Sequence, residues 1–190
     1  MTTRTSDLLT MAAPPTVAVV HGIADDQLDL PTPCGEYAVR DLTNHLFQVV
    51  VNFQALAARQ AVQWADGPDL LTDGWRDRFA TETRRLVRAW SDPSSLEGVS
   101  ETMGMPQTVV GDMVLLDLAV HGWDLAVATG QPYRPAPEVL EPLRALVERL
   151  GPQGQRMGVF AEPVTSGADL TEFELLLCRT GRDPGWSPVA

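Results

Sequence analysis

The sequence predicts an all-α protein built as a four-helix bundle with additional short helices and loops. Apolar residues recur at helical spacing through four long segments, and runs with strand-like alternation are nearly absent. A length of 190 residues, of which 44% are hydrophobic and 21% charged, fits a globular protein with a sizeable core. We therefore expect a single helical-bundle domain over residues 1–190.

The first two helices are predicted from capping residues and apolar stripes. One is expected over residues 6–23, where Pro14 and Pro15 should kink or restart it because proline lacks an amide hydrogen. The other is expected over residues 39–64, after a turn-rich connector. Its apolar stripe is formed by Leu42, Leu46, Val49, Phe53 and Leu56.

The remaining helices follow from the same signals. A third is expected over about residues 71–90, with its arginines on a solvated face. A fourth begins at Pro106 and ends at Gly130, because proline suits a first helical turn and glycine a C-terminal cap. A fifth over residues 137–150 is stopped by a Gly-Pro pair, and a short sixth covers residues 170–178.

Charge and composition exclude several classes of partner. The net charge of −11 argues against nucleic acid and anionic membranes, since both need a basic protein surface. No stretch approaches the roughly 18 apolar residues of a membrane span, and the N-terminus lacks the features of a signal peptide. Two cysteines are too few for a disulfide framework and suit a reducing compartment. We therefore expect a cytoplasmic protein that binds neither nucleic acid nor membranes.

Asp117 and His121 are the most informative residues, four positions apart in an otherwise apolar part of the fourth helix. That spacing puts both side chains on one helix face, about 6 Å apart along the axis. No arginine or lysine lies between Arg88 and Arg134, so Asp117 has no cation nearby in the sequence. Because burying an unpaired charge is costly, a divalent metal shared by both side chains is one interpretation. A buried Asp–His hydrogen bond without metal is the other.

His45 is the candidate third ligand. It lies in the second predicted helix at the edge of the apolar stripe, where a lone histidine is more often a core residue with its hydrogen bonds satisfied. With Asp117 and His121 it would form a His–Asp–His metal site with an open position. His21 is interpreted as a surface residue near a helix C-terminus. Asp41 is interpreted as a helix-start residue, where a carboxylate is stabilised by exposed amides.

Several further residues have two interpretations each. Asp124, three positions after His121, could accept a hydrogen bond from a ligand imidazole and fix its tautomer, or be a helix-end polar residue. Cys34 could be a reactive thiol, but a packed free cysteine is the preferred interpretation. No catalytic residue is assigned beyond the metal ligands. The residues interpreted as structural are Asn44, Asn52 and Trp123.

Two segments resemble the signatures of a known family. Residues 32–46, TPCGEYAVRDLTNHL, resemble the first signature of DinB-like metal-binding proteins related to the mycothiol-dependent maleylpyruvate isomerases. Residues 117–130, DLAVHGWDLAVATG, resemble the second, and the tail GRDPGW over residues 181–186 is similar to family C-termini. The resemblance spans nearly the whole chain and implies a DinB-like four-helix bundle.

The resemblance also implies a ligand set and a chemistry. His45, Asp117 and His121 match the positions that hold a divalent metal, with zinc expected and nickel as an alternative. Mycothiol is the implied thiol cofactor, a small electrophile the implied substrate, and a homodimer a plausible assembly. Position 117 carries Asp where relatives often carry Glu, and Tyr37 stands where Trp is usual. The isomerase has an additional C-terminal domain in its active site, so maleylpyruvate isomerisation is not carried over.

Three functional hypotheses follow. The first is a metal-dependent transferase or isomerase that uses a thiol cofactor. The second is a non-catalytic metal-binding module, such as a sensor or scaffold. The third is a metal-free helical domain in which the Asp117–His121 pair is structural. Metal analysis of protein purified without a polyhistidine tag separates the third hypothesis from the other two.

Overall fold

The computed structural model describes residues 5–35, 37–64, 67–165, 167 and 169–188. Within these residues, two isolated bridges are the only extended pairings, and the all-α prediction is confirmed. The α-helices are α1 (Thr5–Gly22), α2 (Val39–Ala57), α3 (Trp75–Ala89), α4 (Gln107–Ala128), α5 (Leu140–Arg156) and α6 (Glu172–Arg179). Short 3₁₀ turns occur at Asp25–Gln27, Pro93–Leu96 and Pro137–Val139.

Four helices form the bundle, and α4 is the most buried of them. α1 and α2 each pack against both α3 and α4, so these four helices close into a ring. α5 packs against α4 from outside the ring, and α6 packs against α5. Of the 22 residues of α4, 17 are buried, so a charged side chain on this helix meets protein on most sides. None of the described helices combines the length and apolar character that crossing a membrane requires.

The structure corrects the expected break in the first helix. α1 is continuous from Thr5 to Gly22, so Pro14 and Pro15 neither end this helix nor begin a new one. Each proline removes an amide donor, which isolated helices tolerate poorly. Packing of α1 along α3 and α4 outweighs this loss, because most helix stability in proteins comes from tertiary contacts.

The structure also shortens the second helix, which ends at Ala57 rather than near residue 64. Arg59 adopts a left-handed conformation with φ of 59°. The amide of Arg59 then donates to Leu56 and the amide of Gln60 to Ala55, at 3.0 and 2.9 Å, which is a Schellman stop. The Arg59 guanidinium donates to the carbonyls of Ser94 and Glu97, so contacts distant in sequence hold this ending in place.

The chain after α5 returns toward α4. Gly151, with φ of 44°, breaks α5 where the Gly-Pro pair predicted a stop, although a further helical segment reaches Arg156. At the end of α6, Gly181 has φ of 83°, and a Cβ there would lie 2.6 Å from Cβ of Ala161. Glycine is therefore required where the tail crosses this segment, and the crossing brings the following residue, Arg182, back to the bundle.

Candidate metal centre

A large open pocket of about 1050 Å³ lies beside α2 and α4. All three predicted metal ligands line it, His45 from α2 and Asp117 and His121 from α4. Cys34, from the loop before α2, and Arg182, from the tail after α6, line the same pocket. Four separate parts of the chain therefore contribute polar side chains to one cavity.

His121 is the central side chain of this group. Its Nδ1 lies 3.0 Å from Oδ2 of Asp124, and its Nε2 lies 3.8 Å from Oδ1 of Asp117. The rings of His45 and His121 are nearly perpendicular, with centroids 5.2 Å apart, and the ring of Tyr37 stacks on that of His45 at 5.6 Å. His121 thus has one ring nitrogen bonded to Asp124, and its other nitrogen lies near the second carboxylate, Asp117.

Asp124 and Arg182 form a buried ion pair beneath His121. Asp124 is fully buried, and its Oδ2 lies 3.3 Å from a terminal nitrogen of Arg182. The Arg182 guanidinium also donates to the Thr180 carbonyl at 2.8 Å and to Sγ of Cys34 at 3.4 Å. Sequence reasoning missed Arg182, for which the only signal was the family-like tail. Arg182 therefore brings a positive charge to a helix face that has none nearby in the sequence, where it pairs with Asp124 and acts on Asp117 only through its charge.

The pKa values of the two pocket histidines move in opposite directions. Burial alone would lower the pKa of His121, but hydrogen bonds with Asp124 and Cys34 and the charges of Asp124 and Asp117 raise it to about 9. Burial, and then the positive charge of His121, lower the pKa of His45 to about 4. Burial also raises the pKa of Asp117 against the charges of His121 and Arg182. At neutral pH, His45 is a neutral imidazole and His121 carries a proton.

One group of potential ligands is already close together. Among the described residues, Cys34, His121 and Asp124 are the only three whose ligand atoms lie within 4.8 Å of one another. Neutral imidazole, thiolate and carboxylate are all ligands of divalent metals such as zinc, so a Cys/His/Asp metal site is available. His45, Asp117 and His121 do not meet this distance as a set, and their coordination of one ion stays a prediction that requires side-chain rotation.

The other candidate residues fall outside the polar cluster or on its edge. Asp41 caps α2, since its carboxylate accepts from the Ala38 amide at 3.1 Å, as predicted for a helix start. Asn44 accepts from the Leu70 amide at 2.8 Å and so holds a loop, in agreement with the structural interpretation. His21 is exposed, with 66% of its side chain accessible. Cys34 packs against the core, as interpreted, but it also lies at the pocket beside His121.

The shifted histidines predict how stability depends on pH in the metal-free protein. Because the pKa of His121 is higher in the folded state than its ordinary value of 6.5, the protonated ring adds about 3 kcal/mol to the free energy of unfolding below pH 6.5. This contribution is lost as the pH rises toward 9. The lowered pKa of His45 removes stability as pH falls from 6.5 toward 4. We expect the free energy of unfolding, measured by urea denaturation with a chelator present, to peak near pH 6.5.

The alkaline decline is assigned to His121 by substitution. In His121→Asn the free energy of unfolding should be nearly constant between pH 6.5 and 9, while the acidic decline remains. An alkaline decline of equal size in the wild type and in this variant would show that His121 does not carry a raised pKa.

The fold and the pocket define a class of protein, a helical bundle with candidate metal ligands on two of its core helices. A family model described as the mycothiol maleylpyruvate isomerase N-terminal domain matches residues 12–126. The chain belongs to this mycothiol-related family. The matched segment contains Cys34, His45, Asp117, His121 and Asp124, whereas Arg182 lies beyond it.

Two curated relatives also match. They are the uncharacterized proteins MT0763 and Rv0738 of Mycobacterium tuberculosis, from strains CDC 1551 / Oshkosh and ATCC 25618 / H37Rv. Each is 30% identical over 145 residues, which covers 72% of this chain and 74% of the relative. No solved structure matches the chain.

Proposed function

We propose that the protein binds a divalent metal and uses a low-molecular-weight thiol, mycothiol, on a small electrophilic substrate. The observation that carries this proposal is the environment of His121. Its Nδ1 is held by a buried carboxylate, while its Nε2 lies near Asp117 in a pocket that His45 also lines. A histidine whose second nitrogen bonds a carboxylate is the usual arrangement of a metal ligand. Membership of the mycothiol-related family supports the choice of thiol.

The residues of the pocket fit a divalent metal. Asp117 makes no hydrogen bond within the described part of the chain and lies 3.8 Å from His121, so its oxygen atoms are available. Two imidazoles and one carboxylate are a ligand set that zinc and nickel both accept, and three protein ligands leave a position open. When bound there, the metal would favour the thiolate form of the cofactor at neutral pH. Zinc is the proposed metal and nickel the alternative.

A bound cation would also favour an anionic ligand. Exchanging the His121 proton for a divalent cation makes the charge of the site more positive by one unit. Because an uncompensated charge in a partly buried site is costly, this change favours a thiolate over a neutral ligand at the open position.

The size and lining of the pocket support a bulky thiol and an apolar electrophile. A volume of about 1050 Å³ is enough for a pseudo-disaccharide thiol together with a small second molecule. Apart from the polar cluster, the lining is mostly apolar and includes Val49, Phe53, Met103, Met113, Met157 and Phe160. The methionines can adapt to substrates of different shape, because their side chains are unbranched and flexible. Both cysteines and the thiol would stay reduced in the cytoplasm, the proposed compartment.

Thermal unfolding in the presence of thiols tests the proposal. Mycothiol at about ten times its dissociation constant should stabilise the zinc-loaded protein by about 1.4 kcal/mol. The S-methylated thiol should stabilise it much less, because it cannot supply a thiolate. Equal stabilisation by both compounds, or an equal effect on the metal-free protein, would show that binding does not involve the thiol at the metal.

A second candidate function is a metal-binding module without catalysis. The close group of Cys34, His121 and Asp124 favours it, since these three residues already lie near one another and already include a sulfur ligand of the protein's own. In that case the protein would bind zinc but show no response to mycothiol. The same thermal measurement therefore separates the two candidate functions.

A further inference from the structure

Two helices line the pocket in opposite directions. The rings of His45 on α2 and His121 on α4 lie 5.2 Å apart. Toward the other end of the same two helices, the side chain of Gln107, at the beginning of α4, donates to the carbonyl of Leu56, at the end of α2, at 2.9 Å. α2 and α4 are therefore antiparallel, and residues before His121 on α4 lie beside residues after His45 on α2.

The lining becomes apolar along both helices with distance from the histidines. On α2, His45 is followed on the pocket face by Val49 and Phe53, at spacings of four residues. On α4, Met113 lies eight positions before His121, which is about 12 Å along the helix axis. We call this part of the pocket the apolar end, and the residues that line it are Val49, Phe53, Trp64, Met103 and Met113.

Two aromatic rings form a corner at the apolar end. The ring centroids of Phe53 and Trp64 lie 5.7 Å apart, and the ring planes are inclined at 60°. Phe53 is buried and held by the core, whereas Trp64 is 42% exposed. A planar ring in this corner can stack on one of them and meet the other edge-on, the two arrangements that aromatic pairs favour. An exposed tryptophan in a pocket wall therefore indicates a ligand that is itself apolar and flat.

The apolar end suits a neutral molecule. None of the described residues that line it carries a charge. Arg182 is the only arginine or lysine among the described residues that line the whole pocket, and its guanidinium is held at the polar end by Asp124 and Thr180. A carboxylate placed at the apolar end would be partly buried without a partner, which is costly.

We propose that the electrophilic substrate is a neutral aromatic compound, whose ring binds at the apolar end between Phe53, Trp64 and Met113. The inference names the substrate class of the proposed function and rests on that function for the chemistry, but the ring site needs neither metal nor thiol. Asp117 lies one helical turn beyond Met113, so the substrate would extend from the ring site to the candidate ligands. The methionine side chain suits this contact, because sulfur packs well against aromatic rings.

Binding of a neutral aromatic probe tests the proposal on the full chain. N-phenyl-1-naphthylamine fluoresces in apolar surroundings, and it is titrated into the protein with a chelator present. We expect Trp64→Ala to weaken its binding at least about tenfold, while Trp64→Phe keeps most of the affinity. Trp64 is partly exposed, so its replacement should leave the helical content, measured by circular dichroism, unchanged.

A second apolar surface supplies the matched control. A groove of about 420 Å³ lies between α1 and α3, and Val17 lines it. Because this groove can also accept an apolar probe, Val17→Asn shows whether the signal comes from there, and we expect no change in affinity. The proposal would be overturned by equal affinity in the wild type and Trp64→Ala, by a loss in Val17→Asn instead, or by no binding to the wild type.

Competition against the same probe tests the chemical class. 2-Naphthol should displace the probe, its saturated counterpart decahydro-2-naphthol should displace it less well, and the dicarboxylate maleate should not displace it. Displacement by maleate or by the saturated compound as effective as that by 2-naphthol would contradict a neutral aromatic substrate. Metal and thiol are absent from these titrations, so their failure would leave the proposed metal and thiol binding standing. A missing thermal response to mycothiol would likewise leave the ring site standing.

Discussion

His121→Ala is expected to lower the affinity of the protein for zinc by about a hundredfold to a thousandfold. The binding free energy of zinc at structural sites is about 10–16 kcal/mol and is shared by four ligands. Each ligand therefore contributes several kcal/mol, and about 1.4 kcal/mol corresponds to a tenfold change in affinity. His121 lies 3.0 Å from Asp124 and 3.8 Å from Asp117, so its loss removes the residue that links these two carboxylates. Competition against a chelating dye measures the affinity, on protein without a polyhistidine tag and with the helical content checked by circular dichroism.

Two further variants accompany this measurement, one as a control and one for which a smaller loss of zinc affinity is expected. His21→Ala removes an exposed histidine from α1 and should leave zinc affinity unchanged. Asp124→Asn keeps a polar side chain beside His121 but removes its charge, and a loss of about tenfold to a hundredfold is expected for such a supporting residue. Unchanged zinc stoichiometry and affinity in His121→Ala would exclude His121 from the site.

The same titration distinguishes the two candidate ligand sets. If His45, Asp117 and His121 hold the metal, His45→Ala should weaken zinc binding as much as His121→Ala, and Cys34→Ala should weaken it little. If the close group of Cys34, His121 and Asp124 holds the metal, Cys34→Ala should weaken zinc binding as much as His121→Ala, and His45→Ala should weaken it little.

Asp124→Ala is expected to destabilise the metal-free protein by about 3–5 kcal/mol at pH 7, because removing one partner leaves a buried charge uncompensated. Asp124 is fully buried and is shared by His121 and Arg182, which are both cationic at this pH. Its loss leaves the Arg182 guanidinium buried without its carboxylate partner and removes the main contact that keeps His121 protonated. Urea denaturation with a chelator present measures the change in the free energy of unfolding.

Asp112→Ala is the matched control on the same helix. Asp112 pairs with Arg149 at 3.1 Å, but the Arg149 side chain is 51% exposed, so solvent screens the pair. A loss of about 1 kcal/mol or less is expected for such an ion pair. Similar losses in the two variants would mean that the pair beneath His121 is no more important for stability than a surface contact.

Much of the fold could be predicted because helix signals are local. Pro106 and Gly130 mark the ends of α4 within one or two residues, and the buried stripe of α2 follows from its helical spacing. The end of α2 could not be found in this way, since the contacts of Arg59 with Ser94 and Glu97 hold its left-handed stop. The prediction that the prolines of α1 would break this helix was wrong for a similar reason, because its packing against other helices keeps it continuous.

The sequence by itself determined that Asp117, His121 and Asp124 share one face of a buried helix, because spacings of three and four residues fix side-chain direction in any α-helix. Only the tertiary structure decided what surrounds that face. Arg182 meets Asp124 across 58 positions and Cys34 across 148, and no periodic pattern encodes such contacts. Local helix preferences cannot specify these contacts between distant parts of the chain. Three features depend on them: the charges around His121, its raised pKa and the access of Cys34 to the pocket.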